Sequence, residues 1–210
     1  VSLAAIQRHL EAIYALDVPH RVEDFVIDDR QLDDLVAAGV VQEGVRQTDE
    51  HVLVHHEGDE MSIAVYVSDR VRAGLREGAN LQEHCHATEG VSHFVMLSWS
   101  AQEGRRVRAL DLELQAEIDK ASTILLLDRG ATGGQGARDL LRRLFDGAIY
   151  SEHLEPAELD RYREAHRLAA RYSRHLATLL DDGVDRLLEE LRALYRVPAE
   201  EKRVRIARAA

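Results

Sequence analysis

Apolar residues recur at helical spacing along most of the chain, with one stretch where they alternate instead. Leu3, Ile6, Leu10 and Ile13 fall three or four positions apart, the spacing of one buried helix face, and Ser2 stands where an N-cap belongs. Pro19 closes that segment. Val22 to Ile27 reads as a short strand, and Asp28 or Asp29 then caps a helix carrying Leu32, Leu35 and Val36 that Gly39 ends. The period changes after residue 50. Met61, Ile63, Val65 and Val67 alternate with Ser62, Ala64 and Tyr66, and Glu57-Gly58-Asp59-Glu60 separates them from Val52 to His56. Two such runs around turn residues predict a β-hairpin. Ser68-Asp69 opens another short helix, with Val71 and Leu75, which stops at Gly78.

From about Leu81 the helical period returns. Leu81 to Ser100 and Arg106 to Leu127 flank Glu103-Gly104-Arg105, a pattern that predicts an αα-hairpin. Asp128 to Gly136 holds Gly130, Gly133, Gly134 and Gly136 and reads as a flexible connector; it has no Gly-Lys-Ser/Thr of a phosphate loop and follows a helix. Ala137 to Asp146, Pro156 to Leu180, Val184 to Tyr195 and Pro198 to Ala209 predict four more helices. The expected fold is α+β and helix-dominated, a small antiparallel hairpin or sheet in the N-terminal third packed on a C-terminal helical bundle. With no linker in view, residues 1–210 are expected to form a single domain, with a small α/β layer over 1–78 and a helical bundle over 79–210.

Charge narrows the partners. Residues 1–150 hold 26 acidic and 15 basic side chains, and residues 151–210 hold 12 of each, so the front of the chain carries the whole net charge of −11. That field repels phosphate backbones, and ten aromatic residues offer little stacking surface, which argues against nucleic acid as partner. The longest uninterrupted apolar run, Ile124 to Leu127, is too short to span a bilayer, and polar Gln7, Arg8, His9 and Glu11 do not suit a secretion signal. No membrane association and a cytoplasmic location are expected. One cysteine excludes a disulfide framework, and no nucleophile elbow, dinucleotide fingerprint or His-Glu-x-x-His motif is present.

The densest chemistry lies on the αα-hairpin. His86, Glu89 and His93 fall within an arc of about 60° of an ideal helix, where they form either an exposed polar face or a ligand set for one divalent metal ion. On the following helix Glu113 and Glu117 stand one turn apart, Glu117 beside the apolar stripe of Leu110, Leu114, Ala121 and Ile124. A carboxylate there needs a cation. Folding the hairpin about Gly104 sets His93 level with Glu117 and Glu89 level with Lys120, so either Glu89–Lys120 and His93–Glu117 pairs brace the fold, or a shared metal or acid–base site lies there. His166 shares a helix face with Leu159, Tyr162, Ala169 and Ala177 and should point into the bundle, as a satisfied core residue or a proton-handling group alongside Lys120. Arg163, Arg167, Arg171 and Arg174 form a basic stripe on the same helix, suited to an anion, a protein partner or self-association.

The strings Glu89-Gly90-Val91-Ser92-His93-Phe94 and Leu112-Glu113-Leu114-Gln115-Ala116-Glu117-Ile118-Asp119-Lys120 resemble those of a family of uncharacterised bacterial proteins, and the resemblance extends to the Glu57–Glu60 hairpin turn. It implies no activity, substrate or cofactor. Two functional readings follow from the residues. The first is a soluble, non-catalytic binding or regulatory module acting through its helical half. The second is a metal-assisted enzyme whose site lies on the 81–127 hairpin.

Overall fold

The computed structural model describes residues 1–58, 60–78, 80–127, 135–147 and 155–209, so the hairpin residue Asp59 and most of the glycine-rich connector lie outside the described residues. Among them are nine α-helices: α1 (Leu3–Tyr14), α2 (Asp29–Ala37), α3 (Asp69–Glu77), α4 (Leu81–Gln102), α5 (Ala109–Leu127), α6 (Gln135–Asp146), α7 (Pro156–Asp182), α8 (Val184–Arg196) and α9 (Ala199–Arg208). Three strands accompany them, β1 (Val26–Ile27), β2 (Glu50–Glu57) and β3 (Glu60–Val67), in the order β1-β3-β2. The fold is α+β and helix-dominated. No helix among the described residues is long and apolar enough to cross a membrane.

Local chemistry sets the helix starts. Asp28 and Asn80 each close a capping box, with Gln31 and Glu83 respectively, and Ser68 accepts the Val71 N–H at the head of α3. The hairpin forms where the alternation places it, Glu57 opposite Glu60 and Glu50 opposite Val67. The strand expected over 22–27 is shorter. Val22–Asp24 is a 3-10 turn, because the Val22 N–H donates to Gln7 Oε1 at 2.7 Å and the Phe25 N–H folds back to the Val22 carbonyl at 2.9 Å. Only Val26–Ile27 reaches the sheet, where it pairs parallel with Val65 and Tyr66.

Two compact units make up the chain. The first, Val1–Glu11 and Asp17–Arg106, contains the sheet with α2, α3 and α4. Its core gathers Val65 and Val67 of β3, Val71 and Leu75 of α3, and Val91 and Phe94 of α4, with α4 lying on β2 and β3. The change of period near residue 79 therefore marks a change of secondary structure; α4 packs with the strands that precede it.

The second unit, Ala12–Leu16 and Val107–Ala210, is built around α5, with α7 packed along it. Leu114, Ile118, Ala121 and Leu125 of α5 are buried, and so are Asp111, Glu113, Gln115, Asp119 and Lys120. Asp111, Gln115 and Asp119 fall within about 80° of one another around the helix, with Glu113, Glu117 and Lys120 on the opposite side, from 100° per residue. On the first side the polar groups satisfy one another. The Tyr14 hydroxyl donates to Asp119, Gln115 Nε2 donates to Asp119 at 2.7 Å and to the Tyr14 oxygen at 3.1 Å, and Lys202 Nζ donates to Gln115 Oε1 at 2.8 Å. The Lys202 ammonium also lies 5.3 Å from the centre of the Tyr195 ring, which stacks 4.3 Å from that of Tyr14. Asp111 takes Arg203 at 2.6 Å. Burial and the neighbouring Asp119 carboxylate push the Tyr14 hydroxyl well above its usual range, so it remains a donor.

That network makes a test. Tyr14→Phe removes the hydroxyl that donates to a buried carboxylate, and a loss of about 1–3 kcal/mol in unfolding free energy is expected. Urea denaturation measures it; unchanged stability would show that Gln115 by itself satisfies Asp119.

Candidate functional site

Gly90 determines how α4 meets the sheet. A Cβ there would stand 3.3 Å from Glu50 Oε2 and 3.4 Å from methyl carbons of Val65 and Val67. Glycine in a helix costs about 1 kcal/mol relative to alanine, and here it allows α4 to lie close against β2 and β3. The approach carries Glu89 and His93, one turn apart, down to the start of β2. His93 is 6% exposed, and its Nδ1 lies 3.9 Å from Glu50 Oε2. Glu89 and His93 present ligand atoms within 4.8 Å of each other. The Glu50 carboxylate thus lies on the Nδ1 side of the ring, at ion-pair distance and beyond that of a hydrogen bond.

His86 sits two turns earlier, beside a different carboxylate. Its Nε2 lies 3.7 Å from Asp49 Oδ2 and 3.5 Å from Gln82 Nε2. Asp49 also receives Arg70 at 2.5 Å and the Ser68 hydroxyl at 3.0 Å; burial raises its pKa, and these donors together with His86 bring it below the usual carboxylate value. The His86/Glu89/His93 arc is therefore not the exposed face that amphipathic spacing allows. His93 is buried, and His86 and Glu89 are half-buried. Asp49 and Glu50, at the entry to β2, supply the carboxylates, and their only sequence signal is their place immediately before the hairpin.

On α5 and α7 a second group of charges converges. Lys120 Nζ donates to Glu117 Oε1 at 2.7 Å, and His166 Nδ1 stands 3.4 Å from Glu117 Oε2. The other ring nitrogen of His166, Nε2, donates to the Phe145 carbonyl at 2.9 Å. Both neighbours of the ring are acceptors, so the imidazolium is the form that satisfies them. The bond to Glu117 raises the His166 pKa against the effect of burial. Burial pushes the Glu117 carboxyl upward, but Lys120 and His166 outweigh it and hold the pKa at about 2. Glu113, one turn earlier, has the Arg161 guanidinium 3.8 Å away; Arg161 also reaches Glu158 at 3.6 Å and lies 5.6 Å over the Tyr162 ring.

The structure thus brings Glu117, Lys120 and His166 into one cluster and sets Glu113 beside Arg161. Arg161 is the residue that pattern reading missed; its signal is a position next to the inward face that carries Tyr162 and His166. The basic stripe is mostly outward. Arg163, Arg167 and Arg174 are exposed, Arg171 is half-buried, and Arg167 is clamped by Glu164 through bonds of 2.9 and 2.8 Å. No family model matches the chain, and no curated protein or solved structure matches it.

The Glu117–His166 pair has a defined pH signature. Glu117, with its pKa lowered from 4.5, contributes stability above that value and loses it as pH falls toward 2; His166, raised from 6.5, contributes fully below 6.5 and loses it as pH rises through its folded value. The stability difference between wild type and His166→Gln should therefore be largest between pH 4.5 and 6.5 and shrink on either side. Denaturation curves across that range check it, and a flat difference would show that the ring is neutral. Lys120→Met, which removes one of the two cations on the Glu117 carboxylate, should cost about 1.5–3 kcal/mol, with no recovery on adding metal.

Proposed function

We propose that the protein binds a divalent cation at the Glu89–His93 turn of α4 and acts as a metal-assisted enzyme. The observation that carries this reading is a buried histidine, His93, with one carboxylate, Glu50, behind its Nδ1 and another, Glu89, within ligand distance on the same helix. Glu89 and His93 are the ligands in this reading, and the Glu50 carboxylate adds negative charge beside them. A carboxylate–imidazole pair suits a borderline ion such as zinc, manganese or iron, which would lower the pKa of bound water and polarise a substrate oxygen.

Protein purified without an affinity tag or added metal should carry about one ion per chain by elemental analysis, since a site of this kind binds on folding. Stripped protein should melt at a higher temperature when zinc, manganese or iron(II) is restored, by about 2.7 kcal/mol at a hundredfold excess over Kd. Glu89→Gln and His93→Ala should each abolish that rise. A metal-free protein whose melting ignores all three ions overturns the reading.

A second reading, a non-catalytic binding module, is favoured by the exposed guanidinium groups of Arg163, Arg167 and Arg174 on α7. Their partner would be an acidic protein surface, including that of another copy, since 19 acidic against 9 basic residues lie in the sheet unit. Reversing all three charges should lower melting temperature or oligomeric mass in low salt, and less so in high salt. No change in either would remove this reading.

A further inference from the structure

The sheet ends in a long strand with an orderly outer edge. β1 lies on one side of β3 and spans two residues; β2, on the other side, spans eight. The Ser68 N–H donates to the Asp49 carbonyl at 2.9 Å, so those residues form a hydrogen-bonded pair at the head of the β2–β3 ladder. Hydrogen-bonded and non-hydrogen-bonded pairs alternate along an antiparallel ladder. In the register observed, His51, Leu53, His55 and Glu57 turn their backbone groups toward β3, while Val52, Val54 and His56 turn theirs outward. Val54 is 39% exposed, and the strand is exposed from there to its end. An edge of this kind is a template for another strand.

We infer that the outer edge of β2 pairs antiparallel with β2 of a second copy of this chain, centred on Leu53. The strand itself argues for that occupant, since its central residues His51-Val52-Leu53-Val54-His55 read the same in either direction. Two copies related by a twofold axis at Leu53 set Val52 of one opposite Val54 of the other, in pairs that use the outward N–H and C=O groups of both. Leu53 then faces Leu53, and His51 faces His55, at the non-hydrogen-bonded positions where side chains approach most closely. A slip of one residue would set inward-turned groups against outward-turned ones and break the ladder. A slip of two would leave a single valine–valine pair and set Leu53 opposite a histidine.

The test uses the full chain. Analytical ultracentrifugation should find a dimer, and Val54→Pro should make it monomeric. That substitution removes an outward N–H and leaves the bonds to β3 in place, so the melting temperature and circular dichroism should stay near those of wild type. In a Cys85→Ser background, Leu53→Cys should cross-link two chains under mild oxidation faster than Val52→Cys or Val54→Cys. A monomer at all concentrations, a dimer that Val54→Pro leaves intact, or preferential cross-linking at Val52 or Val54 would each overturn the inference. None of these variants alters Glu89 or His93, so the outcome is separate from that of the metal reading.

Discussion

Helix α5 is buried on two opposite sides and carries charge on both. Asp111 and Asp119 lie on one side, Glu113, Glu117 and Lys120 on the other, and each of these five is buried or nearly so. Such groups lose their hydration on folding and recover the cost only through partners held in good geometry. The partners come from separate stretches of chain. Tyr14 arrives from the end of α1, Lys202 and Arg203 from α9, Arg161 and His166 from α7. An apolar α5 would tolerate a rotation or a one-turn slide of any neighbour; a charged one does not, because a displaced neighbour would strand a carboxylate.

The sheet unit uses a related device on a smaller scale. Gly90 removes one side chain from the middle of α4, and the room it leaves is occupied by Glu50 and by valines of β3. Close packing then brings two carboxylates of the β2 entry to two histidines of α4, Asp49 to His86 and Glu50 to His93. The helix gives up propensity at Gly90 and gains a polar contact that no surface residue would make. The buried His93 imidazole thus has the Glu50 carboxylate on its Nδ1 side.

Much of this was legible in the sequence. The alternation from Met61 to Val67 and the turn at Gly58 identify the hairpin, and the three-four spacing of Leu3, Ile6, Leu10 and Ile13 identifies α1. Cap residues Asp28 and Ser68 stand at the observed helix starts. The segment 22–27 was less legible, because a side chain fifteen residues earlier, Gln7, captures the Val22 N–H and bends the backbone out of strand geometry. For the candidate site, residue types and spacing single out His93, Glu117, Lys120 and His166. They do not reveal Glu50, Asp49 or Arg161, whose importance lies in what they stand beside.

The sequence by itself determined the periods, the caps and the inventory of ionisable groups, since each depends on residues a few positions apart. Helix and strand are local solutions to where apolar side chains fall, and a one-dimensional pattern contains them. Only the tertiary structure decided which charge meets which. Lys120 lies beside Glu117 on its own helix, but the imidazolium on the other oxygen of that carboxylate comes from forty-nine residues further along the chain. Coulomb attraction and hydrogen bonding act over a few ångströms of space, and no spacing in a linear sequence encodes which distant helix will bring its histidine there.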